Sequence, residues 1–236
     1  MKKESHHRYR LIVFDWDGTL MDSGDKIANC FQAAAVEAGF PRAETEAVKR
    51  CIGTSLPAMC CTLYPGITPP RIMQIVEGYQ KYWNHLDRTP ALLYPGVEAG
   101  LSELAESGFQ LAIATGKSRR GLDLVLDRTG LRHRFVYSRC ADETRPKPHP
   151  KMLRDILAYT GREATESLMI GDTTFDLEMA KAAGMGGMGI GHGYHSKAEL
   201  EPWSTLPVVE NFPELTARLL GTGQRLFPDT AGGWDP

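Results

Sequence analysis

The first strong hydrophobic run of the chain, residues 11–14, is followed at once by a polar turn that carries Asp15, Asp17 and Gly18. Four apolar residues bounded by a turn predict a short strand that is buried on both faces, as in a parallel sheet. The two carboxylates then follow the carboxyl end of that strand, which is the edge where open α/β sheets bind ligands. We therefore expect this edge to carry the chemistry of the protein.

Helical spacing of the apolar positions replaces this pattern from about residue 24 to residue 92. No convincing alternating strand occurs in that stretch, so it predicts a small helical domain inserted after the first strand. Its three apolar stripes are Ile27, Cys30, Phe31, Ala34 and Ala35; then Leu56, Met59, Cys60 and Leu63; and then Ile72, Ile75, Val76, Tyr79, Tyr82 and Trp83.

Strand and helix patterns alternate after the turn Tyr94-Pro95-Gly96. This alternation predicts an α/β fold, a Rossmann-like three-layer core whose parallel sheet has helices on both faces, with the helical cap inserted. Strands are predicted at 110–114, 135–137, 168–170, 188–190 and 208–209, and helices at 97–107, 120–128, 175–183, 214–220 and between Pro150 and Gly161.

The predicted domain organisation follows from these patterns. Residues 1–22 and 93–220 form the α/β core, residues 23–92 the helical cap, and residues 221–236 a loose C-terminal tail. The first ten residues are polar and basic without an apolar run behind them, so we expect a short solvated arm and not a signal peptide.

Composition narrows the classes of function. A net charge of −2 over 236 residues gives no reason to expect nucleic acid or a membrane as the main partner, and no apolar run approaches the length of a membrane span. The five cysteines are odd in number and include no C-x-x-C pair, which argues against a disulfide framework or a zinc site. We expect a cytoplasmic protein, a monomer or a homodimer.

Residues capable of chemistry follow three predicted strands, and a proline-rich loop adds a cation. Because the carboxyl ends of parallel strands open on one edge of a sheet, these residues are expected to meet there. They are Asp15 and Asp17 after the first strand, Thr115 after the second, Lys147 in the loop, and Asp172 with Asp176 after a later strand.

Four short motifs identify the chain as resembling the haloacid dehalogenase superfamily, and within it phosphoglycolate phosphatase and its near relatives. The motifs occur in the family's order: Asp15-Trp-Asp-Gly-Thr19, Ala114-Thr115-Gly116-Lys117, Arg145-Pro-Lys147-Pro and Gly171-Asp172-Thr-Thr-Phe-Asp176. The resemblance extends from Leu11 to about Leu220, and the helical insertion matches the family's cap. Trp16 and Gly116 depart from the residues common in the family, leucine and asparagine, but neither departure removes a catalytic group.

The resemblance implies a role for each motif. Asp15 would be the nucleophile that forms an aspartyl-phosphate, and Asp17 the acid that protonates the leaving alcohol and then activates water. Thr115 would donate a hydrogen bond to a phosphate oxygen, and Lys147 would neutralise charge on the phosphate and on Asp15.

A magnesium site and substrate contacts follow from the same resemblance. Asp15 and Asp172 would bind Mg²⁺ by their side chains and Asp17 by its backbone carbonyl, while Asp176 would either bind the ion or orient its waters or Lys147. Thr115, Gly116 and Lys147 would contact the substrate. In the cap, Gly53 would let a loop reach it, so changes there should alter substrate choice more than the chemical step. Thr54 and Ser55 beside it would contact substrate or cap the next helix.

The implied activity is magnesium-dependent hydrolysis of the phosphomonoester of a small metabolite such as 2-phosphoglycolate. A β-phosphoglucomutase-type phosphomutase or a pyrophosphatase of the same family is the alternative. A metal-free dehalogenase would not need the acid at Asp17, and a non-catalytic module would be expected to have lost one of the acids.

Overall fold

The structure is a computed structural model that describes residues 8–221. Most of the predicted N-terminal arm and of the predicted tail therefore lie outside the described residues. The chain forms, in order, β1 (Leu11–Phe14), β2 (Met21–Asp22), α1 (Gly24–Glu37), α2 (Thr45–Lys49), α3 (Leu56–Leu63), α4 (Pro69–Lys81), a π-helix (Tyr82–Leu86), β3 (Leu92–Leu93), α5 (Val97–Glu106), β4 (Gln110–Thr115), α6 (Arg119–Thr129), β5 (Tyr137–Cys140), α7 (Lys151–Thr160), β6 (Ser167–Gly171), α8 (Thr174–Ala183), β7 (Gly186–Gly189), α9 (Lys197–Leu200) and α10 (Phe212–Leu220).

Five parallel strands form the central sheet in the order β5-β4-β1-β6-β7. The first strand of the chain is its middle strand, with β4 on one side and β6 on the other. The predicted α/β fold is therefore confirmed. Because all five strands run the same way, the residues that follow β1, β4 and β6 reach the same edge of the sheet.

Alternate side chains of β1 enter two different apolar cores. Leu11 and Val13 pack with residues of α7 and α8, whereas Ile12 and Phe14 pack with residues of α5, α6 and α10. A strand whose every residue is buried needs this covering on both faces. The result is a rigid three-layer frame beneath the carboxyl edge of the sheet.

The helical insertion, residues 24–86, comprises α1 to α4 and the π-helix and is called the cap below. The chain leaves the core through β2 and returns through β3, and these strands pair antiparallel, with Met21 opposite Leu93. The pair lies at the predicted cap boundary, although the division into domains at 23 and 92 stays a prediction. All five cysteines are free; Cys61 is exposed and the other four are buried.

Several sequence-based predictions of local structure were wrong in place or extent. The strand expected at 135–137 lies at Tyr137–Cys140, because an edge strand leaves polar side chains half-exposed and so hides its pattern. At 208–209 there is only an isolated bridge between Val209 and Ile190. The short elements α2, β2 and β3 were not predicted, since two to five residues carry too little periodicity.

Among the described residues, no helix is both long and apolar enough to span a membrane.

Candidate active site

Asp15 and Lys147 form the centre of a buried cluster at the carboxyl edge of the sheet. Asp15 directly follows β1, and its backbone N–H donates to the carbonyl of Ile170 at 3.0 Å. The Lys147 Nζ lies 2.8 Å from Asp15 Oδ1 and 2.6 Å from Asp176 Oδ1. All three side chains are almost completely buried, so water screens this attraction little. The lysine is therefore held between two carboxylates.

Asp172 follows β6, and protein donors fix both of its carboxylate oxygens. Thr19 donates its hydroxyl to Oδ1 at 2.8 Å, and the backbone N–H of Tyr194 donates to Oδ2 at 3.0 Å. A Cβ atom at Gly18 or at Gly193 would lie only 2.2 Å from this carboxylate. The backbone can approach Asp172 so closely only because glycine stands at both positions.

The donor set at this edge fits a hard divalent cation. Asp15, Asp172 and Asp176 each offer a carboxylate oxygen, and these oxygens lie within 4.8 Å of one another. Asp15 Oδ2 has no hydrogen-bond partner among the described residues, although it is fully buried. Buried unpaired anionic oxygens are unfavourable unless a cation neutralises them, and an all-oxygen set suits Mg²⁺. The side chain of Asp17 is not part of this group.

Burial shifts the proton affinities of the cluster. Removal from water raises the pKa of Asp15 well above its ordinary value; Lys147 opposes this shift, and Asp176 and Asp172 add to it. Burial, reinforced by Asp176, raises the pKa of Asp172 to about 7. Burial alone would lower the pKa of Lys147, but Asp15 and Asp176 outweigh it and raise the pKa. A cation that binds here must therefore compete with protons near neutral pH.

Asp176 lies in the first turn of α8 and accepts hydrogen bonds through both oxygens. Its Oδ1 accepts from Lys147, while its Oδ2 accepts from the Thr173 hydroxyl at 2.7 Å and the Thr173 backbone N–H at 3.3 Å. With Thr173 it forms a capping box at the start of the helix. The same carboxylate therefore caps α8 and holds Lys147.

The Asp17 carboxylate points to a different set of partners. Its Oδ1 accepts from the Ser23 hydroxyl at 2.5 Å and lies 3.0 Å from the Lys117 Nζ. Ser23 stands at the start of α1, but its side chain makes no capping hydrogen bond there. Ser23 and Lys117 instead hold Asp17 in one orientation.

Thr115, Gly116 and Gly53 lie where the cap touches the core. Thr115 is buried at the end of β4, and its Oγ1 accepts from the Lys117 backbone N–H at 3.2 Å, which leaves the hydroxyl proton free to donate. A Cβ atom at Gly116 would lie 2.4 Å from the Thr54 carbonyl oxygen and 2.8 Å from that of Gly53. Asparagine, common here in the family, would therefore displace this cap loop.

The neighbouring hydroxyls of the loop are engaged in local structure. Ser55 accepts from the backbone N–H of Ala58 at 3.3 Å and caps α3, while the Thr54 hydroxyl donates to the Cys51 carbonyl at 2.7 Å. The sequence left open whether Thr54 and Ser55 contact substrate or cap the next helix, and the structure shows the helix cap at Ser55. The Thr54 proton is therefore used within the loop, whereas the Ser55 hydroxyl only accepts and keeps its proton free to donate.

We expect Gly53→Ala to slow turnover on large and small phosphate esters alike. Gly53 has a φ of +100°, and its Cβ would lie 3.0 Å from the Thr173 hydroxyl that supports Asp176. The substitution should cost about 1–2 kcal/mol of stability from backbone strain alone. Steady-state kinetics on p-nitrophenyl phosphate and on a larger ester should show an equal loss of kcat, about tenfold if Asp176 moves by a few tenths of an ångström.

Gly66→Ala is the matched control, because Gly66 has a φ of +82° but no atom within 4 Å of its Cβ position. It should lower the melting temperature to a similar extent and leave kcat unchanged. A loss confined to the larger ester in Gly53→Ala would instead support the substrate-selecting role that the sequence suggested for this loop.

A cavity of about 360 Å³ lies between the cap and the edge of the sheet and has Asp15 and Asp17 in its wall. We call it the cap cavity. Most of its remaining wall is apolar, from α1, the loop before α3, α3 itself, α4, the π-helix and α6, and comprises Ile27, Ile52, Leu56, Pro57, Met59, Val76, Tyr79, Trp83 and Leu124. Its position over Asp15 makes it the space in which a substrate would lie.

The three histidines near this edge have structural contacts. His192 stacks on Tyr94 with ring centroids 3.8 Å apart, and its Nε2 lies 3.0 Å from the Thr19 carbonyl oxygen. His195 Nδ1 accepts from the Thr174 backbone N–H at 3.2 Å, and His149 Nδ1 accepts from that of Lys151, also at 3.2 Å. None of the three is among the residues that line the cap cavity.

Sequence reasoning gave no role in the site to Thr19, Lys117 or Ser23, which orient Asp172 and Asp17. Thr19 and Lys117 lie within the quoted motifs, so their residue types were visible. Their partners were not, because Thr19 and Asp172 are separated by 153 positions in the chain.

Comparison with known proteins agrees with this geometry. A family model described as haloacid dehalogenase-like hydrolase matches residues 12–190. The chain is 34% identical over 209 residues to a protein named probable phosphatase IndB of Dickeya dadantii, covering 87% of this chain and 91% of the relative. It is 30% identical to a phosphoglycolate phosphatase of Vibrio cholerae, covering 79% of this chain and 86% of the relative. In fold it is similar to a hydrolase from Pseudomonas syringae, with a TM-score of 0.81, 24% identity and coverage of 89% and 97%.

Proposed function

The chain belongs to the haloacid dehalogenase-like hydrolase family and is a phosphatase, and on that premise we propose that it is a Mg²⁺-dependent phosphomonoester hydrolase that works through an aspartyl-phosphate on Asp15. One observation carries the proposal. A buried Asp15 oxygen without a hydrogen-bond partner lies in the wall of the cap cavity, beside a lysine 2.8 Å from the other oxygen of the same carboxylate. This arrangement supplies an available nucleophile and the positive charge that two reacting anions require.

In the first step, the Asp15 carboxylate attacks phosphorus while the bond from phosphorus to the ester oxygen breaks. The leaving oxygen keeps the electron pair of that bond and takes a proton from Asp17. Lys147 offsets the negative charge of the phosphoryl group, and the free hydroxyl proton of Thr115 is available to a phosphoryl oxygen. Burial of these groups strengthens each of these interactions.

In the second step, Asp17 takes a proton from a water molecule, whose oxygen attacks the phosphoryl group and releases inorganic phosphate and the Asp15 carboxylate. Ser23 and Lys117 hold Asp17 beside the cavity through both steps. The proton that Asp17 gives in the first step is thereby regained in the second.

Mg²⁺ would be held by the side chains of Asp15 and Asp172 and by the backbone carbonyl of Asp17, and it would add positive charge beside the phosphoryl oxygens. Asp176 Oδ1 is already paired with the Lys147 ammonium at 2.6 Å, whereas the donors to Asp172 are a neutral hydroxyl and a backbone N–H, and this difference favours positioning of Lys147 by Asp176 over direct metal binding. Competition between the ion and protons is expected, because the pKa of Asp172 is raised to about 7.

The five free cysteines support our proposal that the protein works in the reducing cytoplasm.

A phosphate-release screen over phosphorylated metabolites, with and without Mg²⁺, tests the proposed function. We expect inorganic phosphate from at least one monoester in the presence of Mg²⁺, and none in excess chelator. Conversion of a sugar phosphate to its isomer without net phosphate release would favour the phosphomutase, and cleavage of pyrophosphate alone would favour the pyrophosphatase. Either result would contradict phosphomonoester hydrolysis.

A further inference from the structure

The cap cavity is larger and less polar than a two-carbon phosphate ester such as 2-phosphoglycolate needs. Its volume of about 360 Å³ falls within the ~300–1,000 Å³ of pockets that enclose drug-sized ligands. Much of its wall is formed by aliphatic and aromatic side chains such as Leu56, Val76 and Trp83. A small, doubly anionic substrate would leave this apolar surface uncovered.

The charges around the cavity disfavour a second anionic group on the substrate. Three carboxylates line it, those of Asp15, Asp17 and Asp142. Of the two cations in its wall, Lys117 is already engaged, because its Nζ lies 3.0 Å from Asp17 Oδ1 and 4.5 Å from the Trp83 ring centroid. The other, Arg120, is exposed to solvent and therefore lies at the mouth of the cavity. A substrate carboxylate inside the cavity would face acids without a free cation deep in the wall.

One polar group in the cavity wall needs a partner that the described residues do not supply. Asn84 lies in the π-helix Tyr82–Leu86, and its Oδ1 is hidden from solvent yet accepts no hydrogen bond. A π-helical turn is rare and frequently occurs at functional sites. A buried acceptor of this kind is unfavourable until a donor reaches it, so it discriminates against ligands without one.

We propose that the substrate is the phosphomonoester of a largely apolar, ring-sized alcohol that carries one hydrogen-bond donor, and that Asn84 Oδ1 in the cap accepts from this donor. The inference rests on the proposed function, because it names the substrate class of the same site. The phosphate lies against Asp15 and Lys147, the apolar body fills the space beneath α4 and α6, and the donor reaches the π-helix. Asn84 touches the substrate far from the reacting atoms and selects it without taking part in the chemical steps.

The experiment compares three esters in Mg²⁺: 3-indoxyl phosphate, which has a ring N–H donor, 1-naphthyl phosphate, which is similar in size and has none, and 2-phosphoglycolate. We expect kcat/KM to be about tenfold higher for indoxyl than for naphthyl phosphate, because Asn84 Oδ1 stays unpaired when the naphthyl ester binds. Both aromatic esters should exceed 2-phosphoglycolate by a further factor of about ten, since small anionic substrates leave the apolar wall uncovered.

Asn84→Leu, a substitution of similar shape, should lower kcat/KM for the indoxyl ester to about the value for the naphthyl ester and so abolish the preference. Activity on the naphthyl ester shows at the same time that the variant folds. Asn29→Leu is the matched control, because Asn29 is an exposed residue of α1 in the cap and does not line the cavity. It should leave all three values unchanged.

Each other outcome overturns a defined part of the proposal. Fastest hydrolysis of 2-phosphoglycolate would overturn the apolar substrate class and leave phosphomonoester hydrolysis standing. Equal rates on the two aromatic esters, or an unchanged preference in Asn84→Leu, would overturn the role of Asn84. No phosphate release from any ester in Mg²⁺ would overturn the proposed function, and this inference with it.

Discussion

Asp15→Asn should reduce phosphate release by roughly four powers of ten or more, which is the usual loss when a covalent nucleophile is removed. Such a loss corresponds to about 5 kcal/mol of transition-state stabilisation. The amide cannot form the aspartyl-phosphate, while its size and shape match those of the carboxylate. Steady-state phosphate release measures the loss, and mass spectrometry of the quenched reaction should find the phosphoryl adduct only on the unaltered protein.

The fold should survive this substitution. Burial raises the pKa of Asp15, Lys147 opposes the rise and the neighbouring carboxylates add to it, so removal of the Asp15 charge relieves a net unfavourable interaction. Lys147 keeps its ion pair with Asp176 at 2.6 Å. The melting temperature without metal should therefore not fall. Asp127→Asn, on an exposed carboxylate of α6 that pairs with Arg132, is the matched control and should keep full activity. Near-normal turnover in Asp15→Asn would contradict the assigned nucleophile.

The fold could be predicted from the sequence because its strongest signals are local. The run at 11–14 is uninterrupted and apolar, and it forms a strand buried on both faces. Parallel strands then fix which edge of the sheet their ends share, so Asp15, Thr115 and Asp172 could be grouped from the sequence alone. The order of the motifs supplied the family, and the family model that matches residues 12–190 bears this out.

What escaped prediction depends on contacts between distant parts of the chain. Nothing local marks Lys117 as the partner of Asp17, because the pair forms only when the end of β4 lies beside the end of β1. No local pattern marks Asn84 as a residue of the cavity wall either, since the π-helix that places it there continues an ordinary helical pattern. The strand at Tyr137–Cys140 was misplaced because an edge strand need not be apolar.

Backbone contacts as well as side-chain contacts join the cap to the core beside the site. Gly116 at the end of β4 lies against the carbonyls of Gly53 and Thr54, and the Lys117 ammonium lies over the Trp83 ring. The same short segment therefore supports Asp17, contacts the cap loop and contacts the π-helix. Asp15 is almost completely buried at this junction, and this burial strengthens the electrostatic attraction of Lys147.

Removal of Mg²⁺ should lower kcat at least about a hundredfold, because a metal ion supplies several kcal/mol of transition-state charge stabilisation. Adding Mg²⁺ again should restore kcat. Binding can be followed apart from activity. At 100 times its dissociation constant the ion should stabilise the fold by about 2.7 kcal/mol, which raises the melting temperature by roughly 5–10 °C for a chain of this size.

This stabilisation should depend on pH in a defined direction. Burial and Asp176 raise the pKa of Asp172 to about 7, so below that pH the carboxylate holds a proton that the ion must displace. The shift in melting temperature caused by Mg²⁺ should therefore be larger at pH 8 than at pH 6. Asp172→Asn should abolish it, whereas Asp155→Asn, on a carboxylate of α7 paired with Arg139, should keep it. Full phosphatase activity in excess chelator would contradict the requirement for Mg²⁺. A Mg²⁺-induced shift in melting temperature that Asp172→Asn leaves unchanged would contradict the metal site, because the donors that hold the ion would then lie elsewhere.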